Sequence, residues 1–246
     1  MTDTNKKGIL AIIPARGGSK GVPRKNIKPF LGRPLISWSV KKAIESEVFD
    51  RIIVLTDDVE IADIAKAHGA EVPVLEPAEL ATNETHVFLG MKWLLAYLEE
   101  QEDYRPDYVM LMEPTAPARK TEHIKELTKL VIESQADSGF TVWEVPVGHN
   151  AHWQFTIDSE GRASIVGGKP VKDIIRRRQL LPNLYVRGGS TYICKREFLL
   201  DDEPNMYGDD ARVLIIDKID GLDLDNEEDW IRAEKIISEI ENHNGE

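Results

Sequence analysis

Short apolar runs alternate along this chain with segments of helical period. Ile9–Pro14 is a continuous apolar run ahead of a polar, glycine-rich stretch, and it predicts a buried first strand. Pro34 marks a helix start that Leu35, Trp38 and the Lys41-Lys42 pair continue. Arg51–Thr56 predicts a second strand, Asp58–His68 a helix closed by Gly69, and Val72–Leu75 a short strand. Over Thr85–Glu100, Val87, Met91, Leu94, Leu95 and Leu98 share one helical face. Tyr108–Met112 follows as a strand, then Thr121–Glu133 as a helix with Ile124, Leu127 and Val131 inward. This order predicts an α/β fold, a mostly parallel sheet with helices on both faces.

The pattern changes near residue 140. Gly139–Val145, Tyr185–Cys194 and Val213–Asp217 read as strands, and Glu227–Ile240 as a closing helix with Trp230, Ala233, Ile236, Ile237 and Ile240 on one side. Between them, residues 146–184 hold no strong period and carry Arg176-Arg177-Arg178. So long an irregular insertion in a compact domain is usually functional or an interaction arm. Trp143 and Trp153 near its start read as packing anchors, and His86, His123, His149 and His152 show no spacing that suggests a metal site. No internal repeat or low-complexity tract is present.

The 246 residues suit one α/β domain, 1–246, with the arm inserted at about 146–184. Hydrophobic residues make up 41% and charged residues 30%, a globular composition. The net charge of −12 argues against general binding of nucleic acid or an anionic membrane. Cys194 is the single cysteine, so no internal disulfide can form and a reducing, cytoplasmic setting is expected. The N-terminal apolar run is too short to span a membrane, and Arg16 and Lys20 follow it where a leader would place small residues.

Against that acidic background, Arg16, Lys20, Arg24, Lys25 and Lys28 lie within 13 consecutive positions, 16–28, that contain no acid. The segment leaves the carboxyl end of the first strand, where open α/β sheets bind ligands. Gly17, Gly18 and Gly21 let backbone N–H groups approach an anion, and the cations supply charge. Neither the Walker A spacing nor the dinucleotide fingerprint fits, so this is a phosphate cradle of another kind. Asp223 and Asp225 are spaced i, i+2 before the closing helix. In an extended segment they share a face, and hard carboxylate oxygens suit Mg²⁺. Capping of the helix by Asp225 or Asn226 is the other reading. The forks of Arg177 and Arg178, with Gln179, could take a substrate carboxylate, or the run could simply be solvated.

Ile12-Ile-Pro-Ala-Arg-Gly-Gly-Ser-Lys-Gly-Val-Pro-Arg-Lys-Asn-Ile27 resembles the signature of the cytidylyltransferases that activate sialic acids and related 2-keto sugar acids. Similar to further family elements are Pro29-Phe-Leu-Gly-Arg-Pro-Leu35, Glu113-Pro-Thr-Ala-Pro-Ala-Arg119, Arg177-Arg178-Gln179, Gly188-Gly-Ser-Thr-Tyr192 and Asp223-Leu-Asp225. The resemblance implies a three-layer, Rossmann-like fold with a dimerisation arm and a homodimer. It implies transfer of a cytidylyl group from CTP to the anomeric hydroxyl of a sialic-acid-like 2-keto sugar acid, with release of pyrophosphate. Another nucleoside triphosphate or a sugar 1-phosphate acceptor is the alternative, and a non-enzymatic nucleotide-binding protein a third. By resemblance Arg16 and Lys25 bind and polarise the triphosphate, while Gly18, Ser19 and Lys20 hold its phosphate end. Asn26 contacts the nucleoside, and Asp223 and Asp225 hold Mg²⁺ or Mn²⁺, with Asp225 also catalytic. Glu113, Thr115, Arg177, Arg178 and Gln179 meet the sugar acid. Four positions depart from the family pattern: Glu76 stands where many members have Arg, Asn83 where Asp is common, Glu113 in place of Gln and Gly188 in place of Asn.

Overall fold

A computed structural model describes residues 7–19 and 21–243. The strands and helices run β1 (Ile9–Pro14), β2 (Pro29–Phe30), β3 (Arg33–Pro34), α1 (Leu35–Ser46), β4 (Arg51–Leu55), α2 (Val59–Ala67), α3 (Val87–Glu102), β5 (Tyr108–Met112), α4 (Thr121–Ser134) and β6 (Ser138–Glu144). There follow β7 (Phe155–Ile157), β8 (Ala163–Ile165), β9 (Lys169–Pro170), β10 (Tyr185–Lys195), α5 (Glu197–Leu200), β11 (Ala211–Ile215) and α6 (Glu227–His243). The main sheet has the order β11-β6-β10-β5-β1-β4. Only β10 runs against its neighbours, pairing antiparallel with both β5 and β6. The other pairings are parallel, so β1, β4 and β5 end on the same edge.

Side-chain alternation divides β1 between two cores. Ile9, Ala11 and Ile13 pack with Ile36, Val40, Ile61, Ile124 and Leu127 of α1, α2 and α4. On the opposite face Leu10 and Ile12 pack with Met91, Leu94, Leu95 and Leu98 of α3. The helices therefore cover both faces, as the sequence pattern predicts. Val72–Leu75 is a correction: it is no strand. Glu71 makes one isolated bridge to Ile53, and Pro73, which has no N–H to donate, interrupts the ladder.

A third apolar cluster joins the two ends of the chain. Val22, Phe30, Leu35 and Trp38 pack against Leu224, Trp230, Ala233 and Ile237. Phe30 sits edge-on to Trp38 and to Trp230, with centroids 5.8 and 5.4 Å apart. Phe30 is carried there by the β2–β3 hairpin, whose two turn residues, Leu31 and Gly32, have φ of +47° and +80°. Burial of these rings fixes α6, and the segment before it, beside the glycine-rich loop.

Residues 146–184 are not wholly irregular. They include the small antiparallel sheet β7-β8-β9, and Trp153 Nε1 donates to the Ile175 carbonyl at 2.7 Å. Ile165 is buried there, whereas Phe155, Ile157 and Leu180 are exposed. Among the described residues no helix is long and apolar enough to cross a membrane.

Candidate active site

A cleft of about 400 Å³ opens at the carboxyl ends of β1 and β5. It is lined by Arg16, Ser19, Gly21, Lys25 and Asn26 from one side and by Glu113, Thr115 and Asp225 from the other. Loop and acidic segment meet at close range. A Cβ on Gly21 would lie 2.1 Å from the Asp225 carbonyl oxygen, so only glycine permits this approach. Gly18 differs: a Cβ there would meet nothing within 4 Å. Lys20 lies outside the described residues.

The loop is held in shape by its own polar groups. Buried Asn26 donates through Nδ2 to the Arg16 carbonyl at 3.0 Å, and the Gly17 N–H donates to Asp57 Oδ1 at 2.8 Å. Arg16 Nη1 donates to the Thr82 carbonyl at 2.6 Å. Lys25 Nζ donates to the Leu224 carbonyl at 2.6 Å and lies 3.7 Å from Asp225 Oδ1. The other two described cations are engaged elsewhere. Arg24 pairs with Asp58 and Glu60. Lys28 pairs with Glu227 at 2.8 Å and lies over the Trp230 ring.

The capping question at α6 is resolved by hydrogen bonds. Asn226 Oδ1 accepts from the Asp229 N–H at 2.9 Å, so Asn226 is the cap. Asp225 is exposed and turned toward Lys25. Asp223 Oδ1 is buried with no hydrogen-bond partner. Burial raises the Asp223 carboxyl above its ordinary range, against the opposing pull of the Thr115 hydroxyl and of Lys25. A buried carboxylate oxygen without a donor, two positions from an exposed carboxylate, fits a hard divalent cation that takes one or two carboxylates and completes its shell with phosphate and water. Among the described residues no group of three or more His, Cys, Asp or Glu side chains could hold a metal alone.

Glu113 leaves the end of β5 into the same cleft. Burial, and then the charge of Asp223, push its carboxyl up to about 7, while Arg119 and Arg187 oppose the rise. Arg119, 2% exposed, fixes the loop from beneath. It donates to Thr191 Oγ1 at 2.9 Å, Ser39 Oγ at 2.9 Å and the Glu113 carbonyl at 2.7 Å. The Leu224 N–H donates to the Thr115 carbonyl at 3.0 Å, which joins this loop to the acidic segment.

Arg177, Arg178 and Gln179 are exposed on the arm and do not line the cleft. Arg178 and Gln179 border a separate hollow with Glu144, Asn150 and Leu184. The cation that β10 brings near Glu113 is Arg187, which sequence reasoning missed. Tyr192 pairs with Leu111 in the sheet, and Leu111 and Glu113 are two apart on one face. The Arg187 guanidinium lies 5.8 Å from the Tyr192 ring centroid and donates to Tyr207 Oη at 2.9 Å. A lone Arg in a strand carries no spacing signal; its only clue was its place beside Gly188-Gly-Ser-Thr-Tyr192.

A family model described as cytidylyltransferase matches residues 10–137. The CMP-N,N'-diacetyllegionaminic acid synthase of Legionella pneumophila is 33% identical over 231 residues, covering 93% of this chain and 96% of the relative. A pseudaminic acid cytidylyltransferase of Campylobacter jejuni is 31% identical over 196 residues, covering 79% and 81%. Among solved structures, a CMP:2-keto-3-deoxy-manno-octonic acid synthetase complexed with CTP superposes with a TM-score of 0.69 at 13% identity, over 94% of this chain and 99% of that one. That last likeness shows a shared fold. The family match covers half the chain, and the Legionella relative extends it along nearly the whole length. The cradle and its facing carboxylates thus lie in a nucleotidyltransferase, and the chain belongs to the sialic-acid-like cytidylyltransferase family.

Proposed function

We propose that the protein transfers the cytidylyl group of CTP to the anomeric hydroxyl of a nine- or eight-carbon 2-keto sugar acid of the sialic acid type. The hydroxyl oxygen forms a bond to the α-phosphorus, the bond from that phosphorus to the β-phosphate bridging oxygen breaks, and pyrophosphate leaves. The hydroxyl proton is released to solvent. The observation that carries this reading is the junction of Lys25 with Leu224 and Asp225, which sets a cationic glycine loop against paired carboxylates in one cleft.

Arg16 and Lys25 bind the triphosphate and meet the charge that builds toward the leaving pyrophosphate. Gly18 and Gly21 offer backbone N–H groups, and Ser19 adds a hydroxyl at the cleft wall. Asp223 and Asp225 would hold Mg²⁺ or Mn²⁺, which when bound supplies positive charge to the phosphate oxygens. Glu113 and Thr115 face the acceptor, the Glu113 carboxyl donating to or accepting from sugar hydroxyls according to its protonation. Arg187 offers a fork for the acceptor's carboxylate on the same side of the sheet. Arg177, Arg178 and Gln179 act through a homodimer in which the arm reaches the second copy. The names of the relatives, a legionaminic acid synthase and a pseudaminic acid cytidylyltransferase, support the sugar acid class.

A screen of nucleoside triphosphates against 2-keto sugar acids and sugar 1-phosphates, followed by pyrophosphate release, tests this. Turnover confined to CTP with a 2-keto acid is expected. Turnover with a sugar 1-phosphate in place of the acid would replace the reading.

A further inference from the structure

Beside the cleft lies a second hollow of about 370 Å³, which shares Pro14, Arg16 and Val87 with it. Leu55 at the end of β4, Leu80 and residues 81–86 complete its walls. A triphosphate held by Arg16 and Lys25 has to send its nucleoside into adjoining space. Glu113, Thr115 and Asp225 occupy the β5 side of the cleft. The hollow on the β4 side, where Pro14, Leu55, Leu80, Ala81 and Val87 supply apolar wall between polar and charged groups, remains for a flat heterocycle.

Glu76 lines this hollow. Its N–H donates to the Thr56 carbonyl at 2.8 Å, which pins the residue at the carboxyl end of β4. The half-buried carboxyl makes no hydrogen bond or ion pair with any described residue. Space for it comes from α3, where a Cβ on Gly90 would lie 2.0 Å from Glu76 Oε1. Glycine inside a helix is costly relative to alanine. The fold accepts that cost where the carboxyl enters.

Resting on the nucleotidyl-transfer reading above, we propose that Glu76 reads the amino edge of the nucleotide base and sets the preference for cytosine over uracil. A carboxylate has acceptors only, which suit the N4 amino group of cytosine and oppose the O4 carbonyl of uracil. A protonated carboxyl carries one O–H that can donate to O4, so the neutral form tolerates uracil. Burial, and then Asp57, push the Glu76 carboxyl up to about 7, with Arg16 opposing. The discrimination therefore grows as pH rises through neutrality. Asp57, Arg16, Glu84 and His86 are the other charged or titratable groups facing Glu76 or lining the hollow.

Equilibrium binding of CTP and of UTP to the full chain, at about pH 6 and about pH 8, tests this without any sugar acceptor. The ratio of affinities should rise several-fold with pH in the unaltered protein. Glu76→Gln, whose amide can present either a donor or an acceptor, should flatten that rise and lower the ratio at the higher pH about tenfold. Gly90→Ala should shift the ratio in the same direction, because its methyl displaces the carboxyl without removing it. His86→Asn, which can still cap α3, should keep the rise. An unchanged ratio and slope in Glu76→Gln, or a slope lost in His86→Asn, overturns the inference. Absence of binding by either nucleotide overturns the functional reading, and this one with it.

Discussion

Lys25 and Asp225 come from opposite ends of the chain and lie with Nζ 3.7 Å from Oδ1, while the same ammonium donates to the Leu224 carbonyl. The contact joins the glycine-rich loop to the acidic segment, with one ammonium bridging a carbonyl and a carboxylate across the cleft. Phe30, Trp38 and Trp230 hold the two backbones together behind it, and glycine at position 21 lets them touch.

Asp223→Asn and Asp225→Asn should each lower turnover by about 10²–10³ or more and leave the fold intact. Asn226, not Asp225, caps α6, so stability should move by no more than about 1 kcal/mol in Asp225→Asn. Activity should also disappear with EDTA and return with Mg²⁺ or Mn²⁺. Near-normal turnover in either variant, measured by pyrophosphate release, would remove that carboxylate from the metal site.

The cations of the loop should separate into two classes. Arg16→Ala and Lys25→Ala should each cost about 10²–10³ in turnover. Arg24 and Lys28 already have acidic partners in Asp58, Glu60 and Glu227. Their alanine variants should change activity little and stability by about 0–1 kcal/mol, the usual worth of exposed pairs. Equal kinetic losses at all four positions would show a diffuse electrostatic patch instead of a cradle.

Glu113→Gln should reveal a linkage between stability and pH. The Glu113 carboxyl rises from an ordinary 4.5 to about 7 on folding, chiefly by burial. The folded state thus binds its proton more tightly than the unfolded state. Stability from this group is fully present below about 4.5 and is lost as pH rises through about 7. Relative to the unaltered protein, Glu113→Gln should match its melting temperature in acid and exceed it above neutrality. A variant less stable at about pH 8 than the parent would refute the assignment.

The homodimer expected from the arm is open to sedimentation. Residues 146–184 expose Phe155, Ile157, Val166 and Leu180, apolar surface that a second copy could cover. A dimer should persist at micromolar concentration, and Arg177→Ala and Arg178→Ala should raise the KM for the sugar acid more than that for CTP. A stable 27.8 kDa monomer would count against the crossing arm.

The sequence by itself determined most of the local architecture. Unbroken apolar runs placed β1 and β5, which are buried on both faces, and helical periodicity placed α3 and α4, which bury one face. The charge reversal at residues 16–28 and the Asp223-Leu-Asp225 spacing exposed both halves of the cleft, since each is a short-range pattern. Val72–Leu75 misled because apolar content alone does not report whether a neighbouring ladder accepts a segment that contains Pro73. Tertiary structure alone decided the rest. The Lys25–Leu224 hydrogen bond spans 199 positions, and no local pattern encodes it. Whether Asp225 or Asn226 caps α6 depended on where one side chain turned. The shifts of Glu76 and Glu113 come from desolvation, which exists only once other residues have displaced water around them. Arg119 and Arg187 entered the site through packing and strand register, while Arg177, Arg178 and Gln179 remained on an exposed arm, because a side chain's reach is set by the fold that carries it.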